Sequence, residues 1–288
     1  MTALHLSRRA ALALGTAYVA AAPRLGHADS GPRAKLWDRW LARDENSTRT
    51  VDNAVYGEFL KKYVVESPDG VNRVAYGGVA PADKQALDAY VAQLEATPIS
   101  TFSSREQLPY WINVYNAVTV KMIIDHYPLE SITDVPLGGF FSFGPWGAKI
   151  IAIEGEELSL DDVEHRIIRP VFKDPRIHYG VNCASIGCPN LAVEPFTADN
   201  IERLFNKGAA DYVGHERGAK VTGGGGTRAR LVVSSIYSWF ESDFDVDGGV
   251  VGHLKKHAAP EKAARIAEAG EVFGDAYDWS LNDTATVG

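Results

Sequence analysis

Residues 108–128 read LPYWINVYNAVTVKMIIDHYP, and this stretch restricts the possible folds more than any other part of the chain. Its prolines predict a helix that starts at Pro109 and ends before Pro128. At helical spacing Trp111, Val114, Tyr115, Val118 and Met122 share one side, while Ile112, Val120, Ile123 and Ile124 make the other sides apolar too. A helix that is apolar all round cannot lie on a surface; other elements must wrap it. Asn113 and Asn116, one turn apart within it, are costly there unless their amides find partners. Backbone groups, the other amide, or a polar pocket that Tyr115 also reaches would each serve.

Around that helix the pattern predicts several shorter elements. LWDRWLARDEN and VDNAVYGEFLKKYV read as amphipathic helices, and PADKQALDAYVAQLEATP as a longer one with Leu87, Tyr90, Val91 and Leu94 on one face. KIIAIEGEELSL suggests a strand, a turn and a helix cap, with Ser159 and Asp162 at capping-box spacing. The helix that follows, LDDVEHRIIR, is expected to stop at Pro170. RIHYGVN alternates Ile177, Tyr179 and Val181 against His178, Gly180 and Asn182, as a strand would. TADNIERLFNKGAADYV reads as a helix capped by Thr197, and AKVTGGGGTRARLVVS as a hairpin with its glycines in the turn. The rest is mostly helical. The expected class is α+β, a mostly helical single domain around a small sheet, spanning residues 29–288.

The first 28 residues are set apart. Arg8 and Arg9 precede an apolar run from Ala10 to Ala22, and Gly26 and Ala28 suit cleavage before Asp29. This is a secretory signal pattern, and the serine before the paired arginines makes it twin-arginine-like. Export to the periplasm or medium is therefore expected, with no membrane span after cleavage. Removing this segment takes away three arginines and moves the formal charge from -8 to -11. Such an acidic chain is not expected to bind nucleic acid.

The chain has only two cysteines, in RIHYGVNCASIGCPNL. Cys183 and Cys188 flank a loop of small residues whose backbone N–H groups could gather round an anion. A cysteine there becomes an activated nucleophile if a histidine approaches it, because thiolate is the nucleophilic form. His178 lies on the preceding segment; His165 lies on the helix before it, beside Glu164 and one turn after Asp161. On a regular strand Cys183 would point opposite to His178, which would share its face with Asn182. That parity favours His165 as the partner of Cys183. Spacing alone equally allows a small disulfide in a non-catalytic domain. Zinc held by His165, His178, Cys183 and Cys188 is a further alternative, although the spacing matches no finger pattern. The run DFDVDGG starts like a calcium loop at Asp243, Asp245, Asp247 and Gly248, but Leu254 stands where a glutamate should close it, so it reads as a solvated turn. No Gly-x-Ser-x-Gly elbow is present, and Ser185 has no better claim than the thiols.

Four blocks then carry a resemblance: LPYWINVYNAVTVKMIIDHYP, LSLDDVEHRIIRPVFKDPRIHYGVNCASIGCPNL, IYSWFESDF and YDWSLN. Together they resemble the domain of unknown function 547 family over about residues 55 to 282. The family's Glu-His, His, Cys and Cys-Pro pattern falls on Glu164, His165, His178, Cys183 and Cys188-Pro189, and its Asn-x-x-Asn on Asn113 and Asn116. The resemblance implies no activity, although some animal members look fused to glutaredoxin-like domains, a hint of thiol chemistry by analogy.

Three readings follow. The first is a thiol-dependent hydrolase or acyltransferase acting on a small molecule or peptide. In it Cys183 is the nucleophile, His165 the base, Glu164 an orienting acid and His178 a further polar group. Asn113, Tyr115, Asn116, Asn182 and Cys188 would line its pocket. The second makes Cys183 and Cys188 a dithiol/disulfide redox pair. The third is a binding domain with a structural bridge. No cofactor is expected; zinc is the alternative.

Overall fold

The computed structural model describes residues 31–137, 144–224 and 226–286, so the signal-like segment 1–28 lies outside the described residues. Helix α3 (Ser104–His126) runs through the middle of a large hydrophobic core, buried on all sides as its composition requires. It starts five residues before the expected Pro109. Only the carbonyl of Arg105 loses an α-helical partner to that proline, and Arg105 is exposed, where solvent can serve it. The Gln107 amide also ties the first turn down by donating to the carbonyls of Ala42, Ile99 and Phe102.

Against α3 lies α2 (Pro81–Ala96), and α1 (Ala54–Tyr63) packs on α2. α2 buries Leu87, Tyr90, Val91 and Leu94, the face its period predicted. The expected helix at LWDRWLARDEN shrinks to a single 3-10 turn, Asp38–Leu41. Among the described residues the strands form three small sheets rather than one. β1 (Val64–Val65) pairs with β2 (Arg73–Val74), and β3 (Ile151–Ile153) with β4 (Glu156–Leu158) through a turn at Glu154 and Gly155 with φ of 49° and 82°. The largest joins β5 (Ala219–Gly224) and β6 (Thr227–Ser234) as the expected hairpin, with β7 (Val272–Ala276) parallel to β6. Around that sheet α5 (Ile201–Gly214), α6 (Ser235–Trp239), α7 (Gly249–His257) and α8 (Pro260–Ala269) enclose a second hydrophobic cluster. The class is α+β with helices dominant.

Two segments depart from expectation in ways that shape the site. The capping box at Ser159 forms, with Asp162 N–H donating to Ser159 Oγ (3.1 Å) and Ser159 N–H to Asp162 Oδ2 (2.9 Å). The helix then passes Pro170. Residues Asp162–Ile168 widen into π winding and Arg169–Phe172 (α4) continue it. Pro170 has no N–H to offer the carbonyls of Arg166 or His165, its partners in α and π geometry. Lys35 and Trp37 supply theirs instead, at 2.8 and 3.1 Å, so the entering chain is laid along this helix.

The second departure is RIHYGVN, which is not a strand. Asp174 accepts from the Arg176 N–H, Pro175 opens a 3-10 helix over Pro175–Tyr179, and Gly180 follows. A Cβ at Gly180 would come within 2.9 Å of Phe205, so that turn requires its missing side chain. The alternation of six residues fits either form. Packing decides: Ile177 and Val181 enter the first core, Tyr179 the second. With the strand gone, the parity that set His178 opposite Cys183 no longer applies.

Candidate functional site

A cavity of about 610 Å³ opens between the two clusters. Trp146, Trp239, Phe240, Tyr277 and Trp279 make it largely aromatic, and Asp161, Glu164, His165, His178 and Cys183 are its chemically active groups. Its roof includes Gly31 and Pro32 of the entering chain, where a Cβ on Gly31 would strike the Trp239 carbonyl at 2.7 Å.

One wall is the cysteine loop. The buried amides of α3 hold it: Asn116 donates to the Gly180 carbonyl (2.8 Å) and accepts from the Asn182 N–H (2.8 Å). Asn182 in turn donates to the Pro189 carbonyl (2.7 Å) and accepts from the Ala184 N–H (2.9 Å). Segment 277–283 clamps the other side, through Ile186 N–H to Ser280 O (2.8 Å) and Asn282 N–H to Ala184 O (3.0 Å). Between these clamps Ala184 is held at a φ of +59°. A buried, non-glycine residue in that left-handed region is strained, and such strain collects where a neighbouring side chain must be aimed. That neighbour is Cys183.

Three groups converge on the half-buried Cys183 Sγ: Tyr277 OH at 3.0 Å, Ser185 Oγ at 3.1 Å and Cys188 Sγ at 3.1 Å. The hydrogen bond from Cys188, then those from Ser185 and Tyr277, push the Cys183 thiol below its ordinary range. Burial pushes the Cys188 thiol well above its own. Both cysteines are free, and the Cys183 N–H is directed at Cys188 Sγ (3.1 Å). The loop thus favours the thiolate of Cys183 over that of Cys188.

The facing groups come from the π-wound helix, the 3-10 turn and residue 243. Asp243 lies in the 3-10 helix Glu241–Asp247, within the acidic run expected to be a solvated turn, and that expectation is corrected. Its carboxylate accepts from Arg169 Nε (2.6 Å) and NH2 (3.1 Å) and from His178 Nε2 (2.8 Å). Burial alone would raise this carboxyl; the His178 and Arg169 hydrogen bonds outweigh it and hold Asp243 well below the carboxylate range. Because Nε2 of His178 faces a carboxylate, its proton sits there, and Nδ1 is left toward Glu164 Oε1, 3.8 Å away. The ring stacks on Phe240 at 4.7 Å, which fixes its plane.

His165 is placed differently. Arg169 NH1 lies 3.1 Å from its Nδ1, and a guanidinium can only donate, so the ring's proton sits on Nε2, 3.6 Å from Asp161 Oδ1. Burial first, and the positive charge of Arg169, push its pKa down. Of the two imidazoles, His178 has a nitrogen free to take up a proton.

The sequence-predicted residues sort as follows. Cys183, His165, Glu164, His178, Tyr115 and Cys188 all line the cavity. Asn113, Asn116 and Asn182 are buried behind it; Asn113 bonds both backbone groups of Phe196, at 2.7 and 2.9 Å. Sequence reasoning missed Asp243, Arg169 and Tyr277. Asp243 and Tyr277 nevertheless stand in the quoted blocks IYSWFESDF and YDWSLN. His165, His178, Cys183 and Cys188 do not gather as metal donors; among the described residues the donor atoms within 4.8 Å of one another belong to Asp247, His253 and His257.

Asp161 offers a pH test. Burial, then the negative charges of Glu164 and Asp162, raise it to about 6 against the pull of Lys149. A raised folded-state value adds stability that is complete below the unfolded value, about 4, and is lost as pH rises through 6. Asp161→Asn is therefore expected to match the native protein in urea unfolding near pH 4 and to exceed it near pH 7. Since the side chain is 44% exposed, solvent keeps the gain small. Equal midpoints at both pH values would show that Asp161 titrates normally.

Among the described residues no helix is long and apolar enough to cross a membrane. No curated protein and no solved structure matches the chain. Residues 99–213, which hold α3, Glu164, His165, His178, Cys183 and Cys188, match the model of the family described as Protein of unknown function, DUF547.

Proposed function

We propose that the protein is an exported thiol-dependent acyl-transfer enzyme or hydrolase in which Cys183 is the nucleophile. The observation that carries this reading is the convergence of three hydrogen-bonding groups on one half-buried sulfur at the wall of a cavity. A thiolate stabilised by hydroxyls needs no imidazole touching it, and the histidines stand across the space a substrate would fill. Cys183 gives its proton to Nδ1 of His178, its Sγ attacks an acyl carbon, the bond from that carbon to its leaving oxygen or nitrogen breaks, and the same Nδ1–H protonates the leaving group. Water then attacks the thioester, giving its proton to Nδ1 of His178, and the released acid restores the thiolate. Asp243 holds His178 in the required tautomer, and Glu164 stabilises the imidazolium. Aromatic walls with Asp161 and Glu164 suit a neutral or cationic substrate with a flat or apolar face and repel anions. Export rests on the signal pattern of residues 1–28.

One observation favours a second reading. The two sulfurs are 3.1 Å apart, with the more accessible thiol lowered and the buried one raised, the asymmetry of an attacking and a resolving cysteine. Both readings are tested by incubating the protein with a panel of chromogenic acyl esters and measuring turnover and acyl adducts by mass spectrometry. Acyl transfer predicts an adduct on Cys183, a loss of about 1,000-fold or more in Cys183→Ser, and only about a tenfold loss in Cys188→Ala, which removes one hydrogen bond to the thiolate. Equal and complete loss in both variants, with reversible oxidation of the pair, would favour the dithiol. Absence of any adduct and indifference to Cys183→Ser would end the acyl-transfer reading.

A further inference from the structure

The same 3-10 segment that delivers Asp243 to the cavity ends at Asp247, which meets a separate group of donors. Helix α7 places His253 and His257 one turn apart in the order HLKKH, and their rings lie 4.6 Å apart. Each of Asp247, His253 and His257 offers a ligand atom within 4.8 Å of the other two. His253 is completely buried, with Nδ1 2.6 Å from Asp247 Oδ2 and Nε2 2.8 Å from Tyr179 OH. Nε2 of His257 is buried and has no hydrogen-bond partner among the described residues. A buried imidazole nitrogen left without a partner costs free energy, and nothing among the described residues recovers it here.

We propose that Asp247, His253 and His257 bind one divalent transition-metal ion of the zinc type, with water as the fourth ligand. Two imidazole nitrogens and one carboxylate oxygen are a donor set that zinc accepts, and histidines at i and i+4 on a helix are a spacing it uses. Tyr179 supplies the support such ligands need: with an ion on Nδ1, His253 carries its proton on Nε2, where the Tyr179 oxygen, 2.8 Å away, accepts it. The ion takes the place of the proton now lying between His253 Nδ1 and Asp247 Oδ2. Lys256, on the other carboxylate oxygen at 2.7 Å, opposes binding by its charge, but it is exposed and can swing into solvent. Since Tyr179 follows His178 and Asp247 follows Asp243 by one turn, an ion here braces two segments that also build the cavity. This site is independent of the acyl-transfer reading.

The test uses the full chain carrying Cys183→Ser and Cys188→Ser, so that sulfur cannot contribute. After chelator treatment and desalting, titration with zinc is expected to give one tightly held ion per chain and a raised Tm. The cobalt complex is expected to lack the near-ultraviolet sulfur-to-metal band and to show the same visible spectrum when the cysteines are restored. His257→Ala is expected to weaken binding by more than the roughly 100-fold that losing a supporting hydrogen bond causes. Should that variant lose its helical circular dichroism, His257→Gln, which keeps more of the volume, replaces it. Sub-stoichiometric zinc in the parent, or a His257 variant that binds as tightly as the parent, overturns the proposal.

Discussion

Asp243→Ala is expected to destabilise the protein by about 3–5 kcal/mol, the usual cost of removing one partner from a buried ion pair. The Arg169 side chain is only 2% exposed. Besides Asp243 it touches the Pro32 carbonyl (2.6 Å), His165 Nδ1 (3.1 Å) and the face of Phe240 (4.4 Å), none of which carries a negative charge. The guanidinium would stay charged and unpaired in a place water hardly reaches, and His178 would lose the acceptor that fixes its tautomer. Urea unfolding measures the effect as a lower midpoint at unchanged slope. Asp245→Ala, in the same segment but exposed, is the control and should fall within about 0.5 kcal/mol of the native protein. If the two variants unfold together, the pair contributes nothing. The same pair sets acid sensitivity. Because the folded-state value of Asp243 is depressed, its contribution is complete above the unfolded value, near 4, and disappears as pH falls toward the folded one. Asp243→Ala should therefore narrow its deficit in strong acid.

Tyr277→Phe is expected to slow alkylation of Cys183 at neutral pH by about tenfold or more, because a hydrogen bond to a charged group contributes about 1.5–3 kcal/mol. The phenol lies 3.0 Å from Cys183 Sγ and 2.9 Å from Ser185 Oγ, and burial raises its own pKa well above normal. It therefore stays protonated and gives its hydrogen bond to the thiolate. Without it, Ser185 and the hydroxyl introduced at position 188 remain as donors, so the thiol's pKa should rise toward, but not reach, that of a free cysteine. The rate of iodoacetamide modification against pH, read in a Cys188→Ser background so that one sulfur reports, gives both quantities. A pH profile unchanged by Tyr277→Phe would show that the phenol does not stabilise the thiolate, and would remove one of the three hydrogen bonds on which Cys183 as the nucleophile rests.

Two elements show how far local pattern carries. The buried face of α2 was legible because sixteen residues sample the helical period several times, and prolines mark its limits. The segment around His178 was not, since an alternation of six residues fits a strand as well as a 3-10 turn. The choice falls to contacts with Phe205 and Ile112, far off in the chain. The helix bearing His165 likewise ran past Pro170 because Lys35 and Trp37 serve the carbonyls that the proline cannot.

The chain by itself determined that α3 is buried, that helices dominate, and that the thiols and imidazoles fall within one stretch of about 25 residues. These are matters of composition and short period. Tertiary structure alone decided which of those groups are charged and which face a common space. Arg169 and Asp243 are 74 positions apart, and Tyr277 lies 94 from Cys183. Whether an acid is solvated or buried, or a thiol is protonated or poised as an anion, depends on which distant donors and charges folding brings within about 3 Å. No spacing along the chain records that.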